Sequence, residues 1–172
     1  MNPLHRIVRG GLAALVCFSV PAFAGLLVDA DPDWKEGAYE MPVAPRESAL
    51  REFFVSSASP NRFLIDEDSF VIGDDGVVRY VLVIRTPGGA SNVTYEGIRC
   101  AVGAWRLYAT GHSGGEWSAA RDSEWQRIVD TSYNRVRAAL AKDHFCDGPV
   151  PPRNREEVLR RLRSADGAHK TS

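Results

Sequence analysis

The chain has 172 residues, a formal net charge of −1 and a 44% hydrophobic fraction. Those values fit one folded domain and exclude a disordered, low-hydrophobicity chain. With 21 basic against 22 acidic side chains, there is no broad basic field for nucleic acid and no acidic tail.

Arg6 and Arg9 precede an apolar run from Gly10 to Val20. Pro21 breaks that run, and Ala22-Phe23-Ala24 has the small-x-small pattern of a signal-peptidase site. The run is shorter than the about 20 apolar residues that cross a bilayer core. Residues 1–24 are therefore read as a cleavable signal peptide, with no transmembrane anchor, and the mature chain is expected in the periplasm or, alternatively, secreted. Cleavage after Ala24 takes 24 of the 172 residues and leaves 148, and it removes two arginines and no acid, so the charge moves from −1 to −3. Of the three cysteines it removes Cys17. The remaining pair, Cys100 and Cys146, is expected to form a disulfide in an oxidising compartment, worth about 4 kcal/mol in the chain-entropy model. The alternative is two free buried thiols.

Residues 25–50 carry Asp29, Asp31, Asp33, Pro32, Pro42 and Pro45 with no apolar period. They read as a flexible leader in which Trp34 or Tyr39 can dock on the domain. Residues 51–148 read as the single domain. Phe53–Ser56 and Phe63–Asp66 are expected strands, followed by Phe70–Ile72, the turn Gly73-Asp74-Asp75-Gly76, and Val77–Arg85. Two β-type runs flanking Asp-Gly predict a hairpin. Val78, Tyr80, Leu82 and Ile84 share one face, while Val77, Val81 and Val83 make the other half apolar, which predicts a central strand. Asn92–Cys100 follows, with an expected bulge at Gly97, where the alternation switches faces. Trp105–Thr110 is next, a glycine turn follows, and Trp117 begins a return strand.

After Asp130 or Thr131 the period changes. Tyr133, Val136, Ala139 and Leu140 fall at helical spacing, and this predicts a helix to about Asp143. Residues 149–172 read as a proline linker and a basic tail, with Asn154 and Glu157 as a capping pair and a narrow stripe of Val158, Leu159 and Leu162. Such a helix is marginal alone. It reads as a frayed, solvated tail, or as a weak contact with an anionic membrane surface or acidic partner.

The chemistry-bearing residues are sparse. His112 lies in a glycine turn, His144 at a helix end and His169 in the tail, with no nucleophile elbow beside them. The acids Asp66-Glu67-Asp68 and Asp74-Asp75 lack the spacing of a calcium loop; Asp at strand ends commonly bonds its own backbone. No metal and no cofactor are expected. The most suggestive set is Glu96, Arg99 and Arg106 on adjacent predicted strands, near Trp117 and Trp125. Arginine beside indole can clamp an anionic or sugar-like ligand. The plainer explanation is a cross-strand ion pair of Glu96 with an arginine and ordinary core tryptophans.

Asn61-Arg62-Phe63, Gly76-Val77-Val78-Arg79-Tyr80, Tyr95-Glu96-Gly97-Ile98-Arg99-Cys100 and Ser123-Glu124-Trp125 resemble the uncharacterised family named after a cryptic neisserial plasmid protein. Asn134-Arg135 and Asp143-His144-Phe145-Cys146 resemble its end, so the likeness covers about residues 50–147. It implies a proteobacterial envelope protein and assigns no catalytic or binding residue. The architecture is also similar to small adhesin-E type surface proteins. The expected fold is α+β: an antiparallel β-meander of about six strands, one C-terminal helix packed on the sheet, and one disulfide. The expected function is a non-enzymatic interaction or ligand-binding module, its partner an envelope protein or a small anionic ligand. The alternatives are a small hydrolase, needing His112 or His144 to face Glu96, Asp122 or Asp143, and a purely structural envelope protein.

Overall fold

A computed structural model describes residues 31–121 and 123–169, with side chains through Ser164. The expected signal peptide, the first part of the leader, Asp122 and the last three residues lie outside the described residues. No helix among the described residues is long and apolar enough to cross a membrane.

Among the described residues, eight strands form one antiparallel sheet. They are β1 (Leu50–Phe53), β2 (Arg62–Asp66), β3 (Val71–Ile72), β4 (Val77–Arg85), β5 (Ser91–Arg99), β6 (Ala104–Gly111), β7 (Trp117–Ala119) and β8 (Gln126–Arg127). The main path runs β1-β2-β4-β5-β6-β7, with β3 pairing on β4 beside β2 and β8 on β6 beside β7. The hairpin at Asp75-Gly76 forms as the turn chemistry predicts: Gly73 and Val77 bond across it, and Gly76 takes φ 74°. The first strand lies earlier than expected, at Leu50–Phe53. Its register on β2 sets Glu52 opposite Leu64 and beside Arg62, whose Nη2 is 2.6 Å from the carboxylate.

Strand β4 is buried from Val77 through Val83, on both faces. Val78, Tyr80 and Leu82 join a core completed by Val136, Leu140, Phe145, Val158 and Leu162. Val81 and Val83 face the other way, with Leu64, Tyr95, Tyr108 and Ala109. The near-continuous apolar run of this strand is the pattern of a two-sided strand.

The bulge is not in β5. Tyr95 pairs with Ala109 and Glu96 with Leu107, so the extra residue is Tyr108 in β6. Val93 and Tyr95 point to one face, Ile98 to the other, because both faces are buried and strict alternation serves both. Gly97 has a different duty. A Cβ there would sit 2.6 Å from the Tyr108 hydroxyl and 2.9 Å from Val77 Cγ1, so the missing side chain makes room for the bulged tyrosine ring.

The late helix is α1 (Arg135–Ala139), which runs directly into one π-helical turn, Leu140–Phe145. That wider turn closes with Cys146 N–H donating to Ala141 O at 2.8 Å. It delivers Cys146 to Cys100, and the two form the expected disulfide, Cα–Cα 5.5 Å.

The tail is folded, contrary to the frayed reading. Helix α2 (Arg155–His169) buries Val158 and Leu162 completely. Asn154 Oδ1 accepts from Glu157 N–H at 3.0 Å, while Glu157 Oε2 accepts from Arg153 N–H at 2.9 Å. Arg161 donates to Phe145 O and Arg155 to Glu67 O. A short stripe that cannot hold a helix in isolation does so once the core supplies its other half. Its stripe of Val158, Leu159 and Leu162 is buried in the core shared with the sheet.

Candidate functional site

The leader is also docked. Residues 31–46 form no strand, yet they are held through side chains on the second face of the sheet. Trp34 Nε1 donates to Asp75 O at 2.9 Å, and its ring lies under Arg99, with Cζ 3.6 Å from the centroid. Trp125 meets the same ring edge-on at 5.9 Å. Glu36 then takes four donors: Arg106 Nη1 at 2.5 Å, Arg79 Nη2 at 3.3 Å, Trp125 Nε1 at 3.2 Å and the Tyr108 hydroxyl. Tyr39 stacks on Tyr108 at 4.2 Å, and Trp117 Nε1 reaches Pro42 O at 2.7 Å.

The arginines and indoles expected beside an outside anion or sugar meet this chain's own Trp34 and Glu36. Arg99, Arg106 and Trp125 come together there. Trp117, on β7, meets the leader further along, at Pro42. Glu96 is on the opposite face of the sheet. The clamp members that sequence reasoning missed are Glu36, Arg79 and Tyr108. Arg79 is only 1% exposed in an otherwise apolar strand, and a buried cation demands a carboxylate partner. That demand was a legible signal.

Charge at this face is tightly fixed. Arg79 Nη2 also lies 2.6 Å from Asp75 Oδ2. Burial disfavours the charged guanidinium, but Asp75, Tyr108 and Glu36 outweigh it and hold Arg79 above its ordinary value. For Asp75, burial pushes upward, while Arg79 and the amides of Gly37 and Val77 pull harder and leave the carboxyl below its usual range. Burial, then the Glu36 hydrogen bond, drives the Tyr108 phenol well above its usual value. Tyr95 is pushed to about 12, chiefly by burial.

On the first face, Glu96 is fully buried. It accepts from Arg137 Nε at 3.0 Å and Nη2 at 2.5 Å, from Tyr80 at 3.1 Å and from Thr94 Oγ1 at 2.7 Å. The plain expectation of an arginine partner is met, but the arginine comes from helix α1 and not from a neighbouring strand. Arg137 Cζ lies 4.0 Å from the Trp105 centroid and 5.5 Å from that of Tyr133. Burial and Glu96 act on Tyr80 in the same direction, raising its phenol.

Beyond this pair, among the described residues, the helical layer leaves part of the sheet face uncovered. The result is a groove of about 500 Å³. Its floor is built row by row: Phe63, Ile84 and Asn92 are successive cross-strand partners, and Thr94 pairs with Thr110 in the next row. Asn61 borders it on the β1–β2 loop, with Ser132, Tyr133 and Arg137 on the helical side. Tyr133 is 71% exposed. A larger hollow of about 690 Å³ beside the disulfide is lined mainly by small side chains such as Gly103, Ala138 and Ala139, and no aromatic ring borders it.

The histidines occupy separate places. His112 is exposed with Nε2 2.7 Å from Ser118 Oγ. His144 is buried, its ring edge-on to Phe53 at 5.7 Å. The turn acids serve the backbone: Asp66 Oδ1 accepts from Asp68 N–H, and Asp75 Oδ1 from Val77 N–H.

A sequence model of the CNP1-like family matches residues 29–163. The match extends past the likeness at 50–147 in both directions, to include the docked leader and the buried part of α2. The chain is also 26% identical over 156 residues to cryptic neisserial protein 1 of Neisseria gonorrhoeae (strain ATCC 700825 / FA 1090), covering 81% of this chain and 76% of that protein. No solved structure matches the chain. The sheet, α1, most of the leader and the buried part of α2 thus fall within one family match, and the chain belongs to the CNP1-like family.

Proposed function

We propose that the chain is an exported, non-catalytic binding module of the bacterial envelope, and that it binds through the groove at the open end of the sheet. Export rests on the signal pattern in residues 1–24. The observation that carries the binding reading is the contrast between the two faces. The arginine–indole face is already filled by Trp34 and Glu36, whereas the groove presents a 71% exposed tyrosine above an uncovered row of strand residues. Concave, largely pre-formed sites with an apolar floor and a few polar groups are where small ligands and peptide segments bind.

Two measurements test this reading. Fractionation with amino-terminal sequencing should find the chain outside the cytoplasm beginning at Gly25. A photoreactive residue placed at Tyr133 should form discrete adducts in intact cells, while one at Val71, exposed on β3 where it pairs with Arg79, should not. Cytoplasmic chain with an intact amino terminus would sink the export reading. The same adduct background from both positions would sink the binding reading.

A further inference from the structure

We propose that the groove takes a short, neutral, hydroxyl-rich oligosaccharide; this deepens the binding-module reading and rests on it. The charge balance comes first. Arg137 is held by Glu96 through two of its nitrogens, and Arg135 Nε lies 3.4 Å from Asp130 Oδ1. The buried cation of the groove is thus fully countered within the fold, and the exposed one at the rim faces a carboxylate of its own, with side chains 43% and 74% exposed. An anionic ligand would have to displace Glu96 from Arg137 and leave that fully buried carboxylate without its cation. A neutral ligand meets no such demand.

The lining fits a sugar ring in two further respects. Asn61, Asn92, Thr110 and Ser132 offer amides and hydroxyls from half-buried or exposed positions around the groove. These groups both donate and accept, as a ring of hydroxyls requires. Phe63, Ile84 and Leu107 are half-buried beside them, supplying apolar surface for the C–H face of a pyranose. Tyr133 adds an aromatic plane at the mouth, and Arg137 at 5.5 Å orients that ring. A flat ring with one polar edge is suited to a ligand that is apolar on its face and polar at its rim. The volume of about 500 Å³ falls within the about 300–1,000 Å³ of small-ligand sites.

The test follows amide chemical shifts of the full mature chain during titration with N,N′-diacetylchitobiose and with maltose. A digalacturonate titration serves as the anionic comparison. The expected result is saturable shifts at Asn92, Thr110, Ser132 and Tyr133 with at least one neutral disaccharide, and weaker ones with digalacturonate. Y133A should lose about tenfold in affinity with an unchanged melting temperature, since the ring is exposed. N92A should weaken binding without unfolding the strand end. Absence of saturable shifts with both neutral sugars overturns the inference, as do shifts outside the groove, tighter binding of digalacturonate, or an unaltered affinity in Y133A. If the sugars fail while photoadducts still form at Tyr133 in cells, the sugar is wrong and the binding-module reading stands. If both fail, the groove binds nothing.

Discussion

Arg99 stands 3.6 Å above the ring of Trp34, a contact between the sheet and a leader residue 65 positions earlier in the chain. It places an aromatic side chain of the protein itself where an outside ligand was expected. Glu36, two residues on, closes the clamp with Arg106, Arg79, Tyr108 and Trp125. Replacing Glu36 by Ala leaves Arg79, 1% exposed, with Asp75 as its remaining carboxylate at this face. The expected loss is about 1–3 kcal/mol, read by urea unfolding, with faster tryptic cleavage after Lys35. An E36A protein as stable and as protease-resistant as the parent would show that the leader contributes nothing to the fold.

The Glu96–Arg137 pair predicts a different pattern. Each side chain is buried, 0% and 8% exposed, so removing one strands the other. E96L and R137M should each destabilise by about 3–5 kcal/mol. The double variant should lose clearly less than the sum, since neither charge is then left alone. Additive losses in the cycle would contradict direct coupling.

Gly97 and Gly103 separate crowding from backbone strain. G97A drives a methyl into the Tyr108 ring and Val77, and should cost about 1–3 kcal/mol. Gly103 has φ 58° and nothing within 4 Å of a built Cβ, so G103A should cost about 1 kcal/mol from conformation alone. In a Y108A background the added cost of G97A should shrink, whereas that of G103A should stay the same.

The lowered Asp75 carboxyl gives a pH signature. Its folded value lies below the ordinary 3.8, so the native state holds fewer protons there than the unfolded chain. The resulting stability is fully present above the ordinary value and is lost as pH falls through the folded one. Comparing the parent with D75N across acidic pH should therefore show a gap that is widest at neutral pH and narrows below pH 3.8. A gap that widens on acidification would reverse the sign.

Helix α2 tests how far the fold extends. Leu162 is fully buried in the main core with Val158 and Phe145. L162A should cost about 2–5 kcal/mol, and a chain ending at Gly148 should expose that core and bind a hydrophobic dye. An L162A protein unfolding at the parent's midpoint would restore the free-tail reading.

What the sequence disclosed follows from how local each signal is. The Asp75-Gly76 hairpin, the two-sided β4 and the Asn154–Glu157 cap were legible because each rests on neighbours in the chain. The Cys100–Cys146 bond was legible because the expected export leaves only two cysteines. The docking of Trp34 is an expectation of the sequence, but Glu36 and Arg137 do not stand out in it, since their roles depend on side chains 41 to 89 positions away. The α2 stripe was undervalued for the same reason: three apolar residues gain meaning only from Phe145 and the sheet. The bulge was placed at Gly97 when the extra residue is Tyr108 across the ladder, because a glycine that makes room for a partner strand reads in one dimension like a glycine that bends its own.

The central claim is that one face is closed by the chain's own leader while the groove on the other face stays open. Hydroxyl-radical footprinting of the mature protein tests it most directly, because tyrosines report both faces in one experiment. Tyr133, 71% exposed, should oxidise rapidly, whereas Tyr95 and Tyr108, each 2% exposed, should be protected until Glu36 is replaced by Ala. Oxidation of Tyr108 in the intact protein at the rate of Tyr133 would show the leader undocked and contradict the account.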